Sequence, residues 1–211
     1  MAERAHTIVA YLKKTYPAPK SELTYTTPFQ FLVAVMLSAQ CTDKAVNRCT
    51  ATLFTKYKTA QDFADADPAT LEHELSSVTF YKNKARHVRE TGKLVVEHFG
   101  GNVPKSEAEL ITLRGVAYKT AHVVLGELYD QHDGIPTDTH VKRFALRFGL
   151  TKNTDLKKVS KDLESLIPKK DWKYVNNGLV LYGRYICKAR PHDCRMHPLT
   201  TLWPEAANRW F

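Results

Sequence analysis

Apolar residues recur along this chain at the spacing of amphipathic helices, and almost nowhere in the alternation of a half-buried strand. Ile8, Val9, Leu12 and Tyr16 mark a first helix, stopped by Pro17 and Pro19. Thr27-Pro28 opens a second, with a cap residue followed by proline at the first helical position. Residues 29–37 are apolar nearly all round, which predicts a buried central helix. Further helices are predicted over 43–57, over 67–75 from Asp67-Pro68, and over 83–99, where Gly100-Gly101 ends the run. Ser106 with Glu109 fits a capping box ahead of Leu110 and Leu113. After Gly115 a helix is predicted over 117–128, and another follows Asp138 as far as Phe148. Helices over 154–166 and 171–186 complete the series. With no convincing strand, repeat or low-complexity segment, the pattern predicts an all-α fold.

Composition narrows the class. In a chain of 211 residues, 43% are hydrophobic and 25% charged, enough apolar material for a core without metal or disulfide staples. Lys and Arg number 31 against 22 Asp and Glu, a net charge of +9. That surplus favours a polyanionic partner, nucleic acid first and an anionic membrane second, although a merely soluble basic protein fits the charge equally well. The N-terminal residues lack the apolar core of a secretory signal, and the longest apolar run, 31–37, is too short to span a bilayer. The expectation is an intracellular protein, of cytoplasm or nucleoid, with no membrane partner. Cys41, Cys49, Cys187 and Cys194 are then expected as free thiols.

Two segments carry candidate chemistry. Leu113-Arg114-Gly115-Val116-Ala117-Tyr118-Lys119-Thr120-Ala121 joins two predicted helices by a tight turn, the layout of a helix-hairpin-helix. The start of the second helix suits a DNA phosphate, because its first N–H groups lack intrahelical partners and its dipole favours an anion. Such a contact positions a duplex without reading its sequence. As a bare pattern this is weak, since glycine turns between helices are common. The second segment is Ile135-Pro136-Thr137-Asp138-Thr139-His140-Val141-Lys142-Arg143. Taken with the hairpin, it resembles the endonuclease III family, in which a lysine lies just after the hairpin and an aspartate opens a later helix. Lys119 and Asp138 match those positions. Leu37-Ser38-Ala39-Gln40-Cys41-Thr42-Asp43 is similar to the family segment whose glutamine enters the duplex beside the extruded nucleotide. Phe80-Tyr81-Lys82-Asn83-Lys84-Ala85 resembles a second loop at that DNA face, and Gly183-Arg184-Tyr185-Ile186-Cys187 the approach to the family's metal site.

The resemblance implies a fold of two helical domains with a DNA-binding cleft between them. One spans residues 22–132 and carries the helix-hairpin-helix; the other combines 1–21 with 133–211. It implies a base-excision repair DNA N-glycosylase with AP lyase activity on oxidised pyrimidines in duplex DNA, acting as a monomer. A base inside a duplex cannot be attacked, so the nucleotide must be flipped out and its gap filled. Lys119 would then attack the anomeric carbon and form a Schiff base that permits β-elimination. Asp138 would stabilise the positive charge developing on the sugar, and opening a helix favours its ionised form. Gln40, Arg114, Gly115, Ala117, Thr120, His140, Lys142, Arg143 and Arg184 are the expected DNA-binding residues, with Arg147 as a further candidate, and Phe80 and Tyr81 the lesion loop. Taken singly, each has a plainer reading: Lys119 a helix lysine, Asp138 a cap, Gln40 a surface amide, Phe80 a core phenylalanine. The alternatives in function are a monofunctional mismatch or adenine/uracil glycosylase, against which Lys119 speaks, and a non-catalytic DNA-binding paralogue.

The chain also departs from the family. The family commonly ends in four cysteines spaced C-x6-C-x2-C-x5-C that hold a [4Fe-4S] cluster. Here Cys187 and Cys194 fill the first two places, His197 and Trp203 the others. Tryptophan offers no lone pair to a metal, so no iron–sulfur cluster and no cofactor are expected. Cys187, His192, Cys194 and His197 are zinc-compatible residue types, but their spacing matches no common zinc pattern. Hydrophobic packing of Leu199, Leu202, Trp203, Trp210 and Phe211 is the expected replacement for the cluster. In the hairpin, Arg114, Ala117 and Tyr118 stand where the family usually carries Pro, a second Gly and Arg, which puts its phosphate grip in question.

Overall fold

The computed structural model describes residues 1–210; among them there is no strand. Twelve α-helices follow in chain order among the described residues: α1 (Ala2–Thr15), α2 (Pro28–Leu37), α3 (Asp43–Lys56), α4 (Ala60–Asp65), α5 (Pro68–Glu74), α6 (Tyr81–Phe99), α7 (Glu107–Leu110), α8 (Tyr118–Tyr129), α9 (Thr139–Arg147), α10 (Leu156–Leu166), α11 (Val175–Tyr185) and α12 (Pro198–Leu202). No helix among the described residues is long and apolar enough to cross a membrane. The helix starts are written in short polar side chains. Thr27, Thr42, Thr59, Asp67, Ser106, Asp138 and Asp155 each accept a bond from a backbone N–H of the first turn.

The chain divides into two units, one of Glu22–Gln131 and one of Met1–Ser21 with everything from His132 onward. In the Glu22–Gln131 unit, α2 is the core: every residue from Phe29 to Leu37 is buried. The one polar side chain in that run, Gln30, is fully used. Its Nε2 donates to the Phe54 and Tyr57 carbonyls at 3.0 Å each, and its Oε1 accepts from Thr26. Helix α6 packs on α4 with Gly92 at the contact, where a Cβ would stand 2.8 Å from the Ala60 oxygen.

In the other unit, the apolar stripe of α1 (Ala5, Ile8, Val9, Leu12) joins Val141, Phe144, Leu163, Leu179 and Tyr182 in a second core. Leu12 lies against Gly178 of α11. Two details differ from the sequence reading. The single helix expected over 171–186 is a 3-10 turn, Lys169–Tyr174, followed by α11. Helices α4 and α12 were not expected, because six and five residues hold too few turns to show a period.

Candidate functional site

The turn between α7 and α8 is built from two buried anchors, Leu113 and Val116, with exposed Arg114 and Gly115 between them. Val116 N–H donates to the Leu113 carbonyl at 3.2 Å, and Thr91 Oγ1 donates to the Arg114 carbonyl at 2.9 Å. Gly115 has φ of +77°, and a Cβ there would lie 2.9 Å from Nδ1 of His87, so geometry and space both demand glycine. Ala117, by contrast, is extended at φ −102° and ψ 172°, a conformation open to any residue. The extra methyl therefore strains nothing in the backbone, and Ala117 leaves the start of α8 without a side-chain cap. Lys119 is the second residue of α8 and half-buried.

Asp138 is the N-cap of α9. Its Oδ1 accepts from the N–H groups of His140 at 2.8 Å and Val141 at 3.1 Å, and His140 Nδ1 stands 3.8 Å away. This fixes the carboxylate at a helix start, where the dipole favours negative charge. Lys119 and Asp138 belong to different units of the chain.

Gln40 and Phe80 share an unusual backbone. Both lie in the left-handed region, at φ 55° and 58°, and both are exposed, Phe80 by 57%. Non-glycine residues rarely adopt it, so something must hold these loops. The holder is Lys84, a residue the sequence reading quoted but gave no role. It is buried, and its Nζ donates to the carbonyls of Leu37 at 2.8 Å and Ala39 at 2.7 Å and to Cys41 Sγ at 3.3 Å. The same sulfur accepts from Thr79 N–H at 3.3 Å, which ties the Gln40 loop to the Phe80 loop. Burial alone would raise the Cys41 thiol, but the bonds from Thr79 and Lys84 outweigh it and hold it below its ordinary value.

Residues 33–169 match the HhH-GPD superfamily base excision DNA repair proteins. Endonuclease III of Synechocystis sp. is 43% identical over 204 residues, covering 97% of this chain and 93% of that protein. Endonuclease III of Bacillus subtilis is 39% identical over 198 residues, covering 92% and 89%. The chain belongs to the endonuclease III family. Among solved structures, a trapped endonuclease III–DNA covalent intermediate superposes with a TM-score of 0.90 at 35% identity, covering 98% of this chain and 97% of that one.

Against the endonuclease III pattern, most expected DNA-binding side chains lie at or near the surface. Arg114 is exposed, 3.9 Å from Glu90, and Thr120, His140, Lys142 and Arg184 are partly exposed, as is Tyr81. Arg143 is the correction. It is buried, and its Nη1 donates to the carbonyls of Cys187 at 2.9 Å and Lys188 at 3.1 Å, so it braces the C-terminal segment instead of facing a phosphate. Arg147 is likewise buried. Phe80 is not the core phenylalanine of its plainer reading.

The C-terminal segment of this endonuclease III relative gathers its chemistry around Arg147. Nη1 and Nη2 of that guanidinium donate to Cys187 Sγ at 2.9 Å and Cys194 Sγ at 2.6 Å, and Nε donates to the Ala206 carbonyl at 2.7 Å. Burial pushes the Cys187 thiol up, with Arg147 pulling the other way. Trp210 covers the guanidinium at 4.2 Å and meets the His192 ring edge-on at 5.3 Å. Trp203 packs edge-on against Phe148, and Leu199 is fully buried. Leu202 is half exposed; Phe211 lies outside the described residues. All four cysteines are free thiols. Ligand atoms of Cys187, His192 and Cys194 lie within 4.8 Å of one another, a gathering that the spacing in sequence did not foretell.

Proposed function

We propose that this protein is a base-excision repair DNA glycosylase and AP lyase for oxidised pyrimidines in duplex DNA, working as a monomer, with Lys119 as its nucleophile. The observation that carries the lysine assignment is its position: second residue of a helix that starts without a side-chain cap, directly behind the Gly115 turn. A phosphate seated at that helix start brings the neighbouring sugar within reach of a lysine on the first turn. The neutral amine of Lys119 attacks the anomeric carbon as the bond to the base breaks, and the departing base takes up a proton. Loss of the amine protons and opening of the sugar ring give the Schiff base. Removal of a proton from the adjacent sugar carbon then expels the 3′ phosphate by β-elimination, and water releases the lysine.

Asp138 stabilises positive charge developing on the sugar and helps move protons from the amine. Arg114, Gly115, Ala117 and Thr120 hold the phosphate, Gln40 fills the gap left by the flipped nucleotide, and Phe80 and Tyr81 face the opposite strand. His140, Lys142 and Arg184 contact the backbone beyond the site. The finer reading is that no iron–sulfur cluster is present. Its support is the donor set: two thiols, Cys187 and Cys194, with His197 and an indole packed on Phe148 in the remaining places. A [4Fe-4S] cluster does not fit those donors.

Borohydride trapping on duplexes carrying thymine glycol, an abasic site or no lesion tests the chemistry. Covalent adducts are expected with both damaged duplexes, and their loss by at least 1,000-fold in K119Q, on the order expected for removing a nucleophile. Undiminished trapping in K119Q would remove the mechanism. Trapping only at the abasic site would keep the lyase and reopen the choice of base.

A further inference from the structure

We propose that Cys187, His192, Cys194 and His197 form a mononuclear zinc site that ties the end of α11 to the start of α12. The sulfurs of Cys187 and Cys194 are almost wholly buried, and an imidazole nitrogen of His192 lies within 4.8 Å of both. His192 is already set in the form a metal requires. Its Nδ1 lies 2.7 Å from the Arg190 carbonyl, which can only accept, so Nδ1 carries a proton and Nε2 is the nitrogen that offers a lone pair in the neutral ring. A backbone carbonyl holding the far nitrogen is the usual support of a metal-binding histidine. Nε2 itself is buried and has no hydrogen-bond partner among the described residues, and neither has Nδ1 of His197. The two rings are 5.1 Å apart. Burying an imidazole nitrogen without a partner costs about 1–3 kcal/mol. One such atom belongs to a ring that reaches two buried sulfurs, and the neighbouring His197 ring brings a second open nitrogen; together they call for a ligand.

The donor types select the ion. Thiolate and imidazole suit zinc, whereas calcium and magnesium take oxygen. Bonds of about 2.3 Å to sulfur and about 2.0 Å to nitrogen would draw the present cluster inward by roughly 1 Å, with His197 turning in as the fourth ligand. Each sulfur–zinc bond forms as a thiol proton leaves to solvent. Cys194 then gives up its 3.7 Å contact with the Ala207 carbonyl. The Arg147 donors stay on the sulfurs from outside, as hydrogen bonds to thiolate.

This inference rests on the cluster-free reading, and elemental analysis separates the two. Untagged protein purified without chelator is expected to carry about one zinc per chain and no iron. After stripping, cobalt(II) should give the visible bands of a tetrahedral ion and a thiolate charge-transfer band in the near ultraviolet. H192A, at a half-exposed position, is expected to keep its helical circular dichroism while weakening zinc binding on the order of 100-fold and losing the zinc-dependent rise in Tm. Iron with inorganic sulfide would overturn both readings. A folded chain with neither zinc nor a cobalt–thiolate band would overturn the zinc site alone.

Discussion

Lys84 shows how a single side chain sets the geometry of two loops. Its buried ammonium satisfies two carbonyls of the Gln40 loop and reaches the sulfur that receives Thr79 N–H, so two left-handed residues are held from one point. K84M keeps the length of the stem and removes the donors. With the Leu37 and Ala39 carbonyls left unserved, stability should fall by about 2 kcal/mol, and Tm by about 4–8 °C for a chain of this size. Excision of an oxidised base should fall further than cleavage at a ready-made abasic site, since only the former needs the base displaced. An unchanged Tm in a thermal melt would mean that the clamp is idle. Sequence alone could not find this role. It offered the spacing of Lys119 and Asp138, which is local, whereas the Lys84 clamp joins residues 43 to 47 positions apart. The same limit explains Arg143 and Arg147: on paper they are surface arginines of α9, and only the returning C-terminal segment covers them.

At the scale of elements, the α7–α8 turn separates one position that demands glycine from one that does not. G115A meets both a left-handed backbone and the His87 ring, and should cost about 1–2 kcal/mol while weakening binding to abasic DNA roughly tenfold. A117G sits in extended backbone and should stay within about 0.5 kcal/mol of the parent, with affinity unchanged. Chemical denaturation and fluorescence anisotropy at fixed salt read both pairs, and equal behaviour of the two variants would discard the distinction. Long helices were legible because caps and periodicity agree: Thr27-Pro28 before α2, Gly100 after α6, Asp138 before α9. The short ones were not. In α4 the signal was Thr59 with Asp62, a reciprocal cap that precedes too few turns to be noticed. The break before α11 arises where the chain tightens at Lys169–Tyr174, a change of pitch that leaves the apolar spacing almost intact.

At the scale of the whole molecule, the +9 charge predicts how binding responds to salt. Affinity for undamaged duplex should fall along a straight line in log–log coordinates, with a slope of about −0.9 per phosphate contacted. K142Q should flatten that slope by about one unit and weaken damaged and undamaged duplexes alike; a selective loss for damaged DNA would instead place Lys142 at the lesion. The division of the chain has a further consequence, in the order of synthesis. The unit containing α1 is interrupted by the whole of Glu22–Gln131. On a ribosome adding about 5–20 residues per second, α1 therefore emerges on the order of ten seconds before the helices it packs against. Its stripe of Ala5, Ile8, Val9 and Leu12 has no native partner for that interval, while the segment that includes α2 can already collapse on itself. The nascent chain thus trails an unburied apolar helix, a natural handle for a holding chaperone, until α11 arrives to claim it.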